Sequence, residues 1–130
     1  MMHYGSVNDD GEECSVRLTI QGSDQHTESI SFIIDTGATG SMVLPLEIVD
    51  RLNLSQSIDE YVRVTQADGS SDRYGLYVAH VMWHGSLKQV EVVAFGPAPL
   101  IGMGLLQGSN LSVDAIPGGL VTITELRNLT

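Results

Sequence analysis

Asp35 follows the most apolar run of the sequence, Phe32-Ile33-Ile34, and begins the segment Asp35-Thr36-Gly37-Ala38. A carboxylate at the end of a buried strand costs free energy unless it is paired or hydrogen-bonded. Thr36 adds a hydroxyl group, and Gly37 lets backbone N–H groups and a substrate approach closely. An Asx-type turn is the ordinary alternative, because Asp-Thr-Gly occurs by chance in about one chain in forty of this length. The segment indicates acid–base chemistry if the rest of the chain supports it.

The elements around this segment are mostly β-strands. Apolar and polar residues alternate from Cys14 to Ile20, which is typical of a half-buried strand, and a turn at residues 21–24 leads into a second strand at 28–34. Pro45 is suited to the first position of a short helix that reaches Leu54. Further strands are predicted at 42–44, 61–65, 75–83, 87–95, 111–114 and 120–123, with one or two helical turns at 103–107. The pattern predicts a mainly β protein with one or two short helices.

A second motif, Leu100-Ile101-Gly102-Met103-Gly104-Leu105-Leu106, follows the predicted hairpins. Together with Phe32-Ile33-Ile34-Asp35-Thr36-Gly37-Ala38, its order and spacing make residues 14–126 resemble the retropepsin-like aspartic proteases, of the cellular or bacterial kind. The resemblance implies a closed β-barrel, the half-lobe of an acid protease. It also implies hydrolysis of peptide bonds.

The resemblance assigns roles to individual residues. It implies that Asp35 is the catalytic acid, that Thr36 bonds to the partner loop, and that Gly37 contacts the substrate backbone. A flap at residues 65–74 is expected to close over the substrate. The implied substrate-binding residues are Ala38, Ala67, Asp68, Gly69, Ser70, Ala98, Leu100 and Ile101.

Two positions depart from the retroviral pattern. Many retroviral members have an acidic residue after Asp-Thr-Gly-Ala and an arginine after Ile-Gly, whereas this sequence has Thr39 and Met103. Both partners of that ion pair are replaced together, so no unpaired charge remains. The departures concern the strength of a dimer rather than the chemistry.

A single Asp-Thr-Gly is present, and the sequence contains no internal duplication. Aspartic-protease chemistry requires two carboxylates that share a proton. We therefore expect a homodimer in which a twofold axis places Asp35 beside Asp35 of its partner. Residues 120–126 are predicted to form an interface strand, with an ordinary core strand as the alternative.

Composition limits the partners and the location. The 16 acidic and 6 basic residues give a formal charge of -10, which disfavours nucleic acid and anionic membranes as partners. Cys14 is the only cysteine, so an internal disulfide and a multi-cysteine zinc site are excluded. His80 and His84 lie too far apart along a strand to share a metal ion. We expect a cytoplasmic protein without a metal or other cofactor.

The length of 130 residues predicts one domain at 14–130, preceded by a flexible acidic leader at 1–13. The leading hypothesis is an aspartic endopeptidase that cleaves peptide or protein substrates as a homodimer. An inactive peptide-binding or dimerisation module with the same fold is the second hypothesis. A β-barrel that binds a small ligand is the third.

Overall fold

The computed structural model describes residues 1–65, 67–69 and 71–126, and the side chains of all of these except 58–64 and 71–72. The chain is mainly β, as predicted, with two short helices. The strands are β1 (Met2–Val7), β2 (Cys14–Gln21), β3 (Thr27–Ile34), β4 (Met42–Leu44), β5 (Ser55–Thr65), β6 (Ser71–Trp83), β7 (Ser86–Ala94), β8 (Leu100–Ile101), β9 (Ser109–Val113) and β10 (Leu120–Glu125), and the helices are α1 (Leu46–Arg51) and α2 (Met103–Leu106).

Six of these strands close into the predicted barrel, in the order β6-β7-β4-β8-β3-β2. Pairing of Ile20 in β2 with Val81 in β6 completes the closure. Alternate residues of the strands point inward, and Phe32, Ile20 and Val81 are each 0% exposed. The period-two pattern of the sequence thus becomes one apolar core that fixes where each strand ends.

The N-terminal residues differ from the expected loose leader. Residues 2–7 form β1, which pairs with both β2 and β10. A Cβ atom on Gly5 would lie 2.0 Å from the carbonyl oxygen of Ser15, so only glycine permits this close contact between β1 and β2. The inward positions of β1 are His3, Gly5 and Val7. Two of these three are not apolar, which is why the hydrophobic pattern concealed the strand.

Strand β10 fits the alternative prediction of a core strand, because β1 and β9 pair with its two edges and Val121 and Ile123 are 0% exposed. An interface role of residues 120–126 stays a prediction. Two element boundaries differ from those predicted. Helix α1 ends at Arg51 rather than at Leu54, since Asn53 adopts a positive φ of 50°. Strand β5 begins six residues before the predicted Tyr61, with an irregularity in its pairing to β6 between Gln56 and Tyr61.

Candidate active site

The Asp35 loop is held by strand β8, which lies between β3 and β4. Parallel pairing joins Ile34 to Ile101, and antiparallel pairing joins Ile101 to Met42. The ladder extends one residue further, because the Asp35 N–H donates to the Ile101 carbonyl oxygen over 2.9 Å. The backbone of Asp35 is therefore fixed by the sheet, while the residues that follow it are free to form a loop.

The carboxylate of Asp35 is half-buried and is oriented by its own loop. The Gly37 N–H donates to Oδ1 of Asp35 over 3.0 Å, and the Ala38 N–H donates to the Asp35 carbonyl oxygen over 3.1 Å. A Cβ atom on Gly37 would lie 3.2 Å from Oδ1, so a larger residue there would crowd the carboxylate. The loop thus fixes one carboxylate oxygen and leaves the other available.

Helix α2 and the glycines around its start support the loop from the other side. The Met103 N–H donates to the Ala38 carbonyl oxygen over 2.8 Å, and the Gly104 N–H donates to the Gly40 carbonyl oxygen over 3.0 Å. A Cβ atom on Gly102 would lie 2.8 Å from the Ala38 carbonyl oxygen. A Cβ atom on Gly104 would lie 2.8 Å from the carbonyl carbon of Gly40. The two sequence motifs therefore form one packed unit, and this close packing explains why glycine occupies positions 102 and 104.

A cleft of about 770 Å³ opens beside Asp35. Its floor comes from adjacent strands, since Val43 in β4 pairs with Leu100 in β8 and with Val93 in β7. The lining residues are Asp35, Ala38, Thr39, Gly40, Ser41, Met42, Val43, Thr65, Leu76, Lys88, Gln89, Val90, Glu91, Val93, Phe95, Leu100 and Gly102. A half-buried carboxylate at the side of a mostly apolar cleft is the arrangement expected of an active site.

The structure brings together some of the predicted site residues. Asp35, Ala38 and Leu100 line the cleft. Thr36 and Gly37 are exposed on the outer surface of the loop. The prediction that Ile101 contacts substrate is wrong, because its side chain is 0% exposed and belongs to the core.

The predicted flap corresponds to the hairpin of β5 and β6, in which Thr65 pairs with Ser71. Thr65 lines the cleft. Ala67, Asp68 and Gly69 are exposed in the turn, outside the cleft lining, and Gly69 has a φ of 87° that suits glycine. Ser70 lies outside the described residues. Ala98 is half-buried and also lies outside the cleft lining. Substrate contacts of the turn residues 67–70 and of Ala98 therefore stay predictions.

Sequence reasoning missed several cleft residues, among them Val43, Leu76, Glu91 and Phe95. For Glu91, the alternation of β7 shows only which side of the strand it occupies, since Val90 and Val92 are buried while Glu91 and Val93 are not. Phe95 also meets Tyr74 of the flap strand edge-on, with ring centroids 4.8 Å apart. This contact ties the flap hairpin to the cleft wall.

The described residues give no sign of a metal centre, since they contain no group of three or more His, Cys, Asp or Glu side chains that could hold an ion. Within the same part of the chain, no helix is long and apolar enough to cross a membrane.

Comparison with known proteins agrees with the fold and with the position of the motifs. A family model described as aspartyl protease matches residues 16–116. A retropepsin-like aspartic protease from Rickettsia conorii superposes with a TM-score of 0.60 at 17% identity, covering 98% of this chain and 93% of that one. EIAV protease in complex with the inhibitor HBY-793 superposes with a TM-score of 0.51 at 18% identity, covering 72% of this chain and 84% of the other. No curated protein matches the sequence.

The matched segment contains both sequence motifs and the whole barrel apart from the beginning of β2. The chain belongs to the aspartyl protease family, and its fold is retropepsin-like.

Proposed function

We propose that this protein is an aspartic endopeptidase that acts as a homodimer, with Asp35 of each copy forming the catalytic pair. The observation that carries the proposal is the placement of Asp35, which is half-buried, anchored through Oδ1 by the Gly37 N–H and situated beside the cleft. Family membership supports the same activity at a coarser level.

The second carboxylate must come from a second copy. Asp-Thr-Gly occurs once in the sequence, and among the side chains that the structure describes only Glu91 adds a further carboxylate to the cleft lining. A twofold axis beside the exposed Thr36 and Gly37 would bring the two Asp35 side chains together. Two carboxylates about 3 Å apart cannot both ionise, so the pair shares one proton.

The chemistry follows from that shared proton. The ionised Asp35 takes a proton from a water molecule, which attacks the scissile carbonyl carbon, while the protonated Asp35 hydrogen-bonds the carbonyl oxygen. Collapse of the tetrahedral intermediate then breaks the C–N bond, and the leaving amine takes up a proton from the pair. The two pKa values belong to the pair rather than to either residue.

The substrate that suits this cleft is an extended peptide with apolar side chains near the cut. Val43, Leu100 and Leu76 provide apolar floor and wall close to the loop. Thr65, next to the turn of the flap hairpin, lines the same cleft. We propose that Ala67, Asp68 and Gly69 approach the peptide backbone when this hairpin closes.

The test compares wild-type protein with Asp35→Asn on an unfolded protein substrate, from mildly acidic to neutral pH. We expect Asp35→Asn to lower kcat/KM by about a hundredfold or more, because it removes the acid–base group. Asp50→Asn is the matched control, since Asp50 is exposed on α1 away from the cleft and its replacement should leave cleavage unchanged. Equal cleavage by wild type and Asp35→Asn would remove Asp35 from the mechanism.

The second candidate function is an inactive peptide-binding or dimerisation module. It would show itself as binding of the unfolded substrate without cleavage by either protein. The half-buried carboxylate held by Gly37 favours the enzyme.

A further inference from the structure

Glu91 lies in the same row of the sheet as Asp35. The pairings of Ile34 with Ile101, of Ile101 with Met42 and of Met42 with Val92 define one row across β3, β8, β4 and β7. The next row contains Asp35, Gly102, Ser41 and Glu91. Neighbouring strands are about 4.8 Å apart, so three strand spacings separate Glu91 from Asp35 by about 14 Å along the sheet.

The Glu91 side chain projects from the cleft face of β7. Residues two apart on a strand share a face, and Val93 on that face pairs with Val43 of the cleft floor. The neighbour Val92 points the other way, into the core, and is 0% exposed, while Val90 is 5% exposed and borders the cleft at its buried side. Glu91 is exposed, and among the described residues its side chain has neither a hydrogen-bond nor an ion-pair partner. A free carboxylate therefore faces the cleft at a fixed distance from the catalytic group.

We propose that Glu91 determines substrate specificity by binding a lysine or arginine side chain three or four residues from the scissile bond. An extended peptide advances about 3.3 Å per residue, so about four residues cover the span from Asp35 to Glu91. Because a lysine or arginine side chain is long, a basic residue only three positions from the scissile bond can also reach Glu91. The inference rests on the proposed function, because it assumes that a peptide occupies the cleft.

In the proposed homodimer, this preference for a basic residue applies on both sides of the scissile bond. A twofold axis at the Asp35 pair places one Glu91 at each end of the combined cleft. Basic residues are then expected at similar distances on both sides of the cut, with apolar residues between them. This pattern distinguishes Glu91 recognition from a general attraction of the acidic surface, which would favour lysine at any position.

Among the described residues, Lys88 is the cationic side chain of the cleft lining, and it lies outside the row that contains Asp35 and Glu91. It is three residues from Glu91 on the opposite face of β7, on the side away from Val93. Lys88 also lines a second hollow beside Trp83 and His84. A peptide that extends from Asp35 thus reaches the carboxylate of Glu91 before the amine of Lys88.

Binding can be tested without catalysis. Fluorescent peptide pools with an apolar centre, carrying lysine, glutamine or glutamate at the third and fourth positions on both sides, are titrated with Asp35→Asn protein. We expect the lysine pool to bind about fivefold more tightly than the glutamine pool and the glutamate pool to bind most weakly, with differences that shrink at high salt. Adding Glu91→Gln should equalise the lysine and glutamine pools, and adding Glu91→Lys should reverse the order.

Cleavage by the Asp35-containing protein provides the second readout. Glu91→Gln should raise KM for lysine substrates about fivefold while kcat is unchanged, because Glu91 contributes to substrate binding and not to the chemical step. Glu47→Gln, on exposed α1, is the charge-matched control. Lysine preference that survives Glu91→Gln, or that is equal at every peptide position, would overturn the inference. Absence of cleavage would overturn the proposed function alone, since the binding experiment reports on Glu91 independently.

Discussion

A Cβ atom on Gly102 would lie 2.5 Å from the carbonyl oxygen of Gly40. This contact joins the beginning of α2 to the loop that carries Asp35. No L side chain fits there without a backbone shift, so the absence of a side chain at Gly102 is part of how the loop is positioned. Precise placement of the loop matters because two copies must bring their carboxylates within hydrogen-bonding distance.

Gly102→Ala is therefore expected to destabilise the fold by about 1–3 kcal/mol, as overpacking does, and to reduce kcat by displacing the Asp35 loop. Urea denaturation measures the first effect and cleavage of an unfolded substrate the second. Gly40→Ala is the control for stability, since a Cβ atom at Gly40 would have no neighbour within 4 Å. Equal free energies of unfolding for the two variants would show that the contact does not constrain the loop.

Met103 is expected to lie in the dimer interface. Its N–H bonds to the Ala38 carbonyl oxygen next to the catalytic loop, yet its side chain is 39% exposed in the single chain. Met103→Glu would place an unpaired charge in a surface that the partner covers, so we expect at least about a tenfold increase in the dimer Kd. Sedimentation equilibrium measures this change.

Leu46→Glu is the matched control for Met103→Glu. Leu46 is also an exposed apolar residue, but it follows the end of β4 that points away from the Asp35 row. The control should leave the dimer Kd unchanged. An equal effect of both variants, or of neither, would place the interface elsewhere.

The attachment of β1 should weaken in acid. The ring of His3 stacks on Trp83 with centroids 4.6 Å apart, and Nε2 of His3 accepts a hydrogen bond from the His84 N–H over 3.1 Å. Only an unprotonated Nε2 can accept that bond. Burial lowers the pKa of His3, with smaller contributions from His84 and the N-terminal amine. The stabilisation is therefore fully present above the unfolded-state pKa of about 6.5 and is lost as the pH falls through the lower folded-state pKa.

His3→Gln tests this pH dependence, because glutamine can accept the bond but does not titrate. We expect the free energy of unfolding of the wild type to fall more steeply than that of His3→Gln as the pH is lowered from 6.5 to 5. The pKa of His84 is also lowered, chiefly by burial, so some slope remains in both proteins. Urea denaturation at several pH values measures the free energy of unfolding of both proteins. An equal pH dependence for wild type and His3→Gln would show that His3 does not titrate in this contact.

The strands were predictable from sequence because alternation directly reflects burial, whereas the barrel and the role of the Asp35 loop came from the family resemblance of the two motifs. His84 and Gly85 have positive φ angles and form the turn between β6 and β7, in the gap between the strands predicted at 75–83 and 87–95. Strand β1 was missed because His3 and Gly5 face inward without being apolar. Glu91 was missed as a cleft residue because it depends on the pairing of β7 with β4, which alternation within one strand does not reveal.

The most direct test of the account mixes wild-type and Asp35→Asn chains in equal amounts, unfolds and refolds them together, and measures cleavage at concentrations well above the dimer Kd. If each active site needs Asp35 from both copies, random pairing leaves about a quarter of the dimers active, so cleavage should be about a quarter of that of the same total amount of wild type. Cleavage at half of the wild-type value or more would mean that one Asp35 suffices, and would contradict the shared catalytic pair.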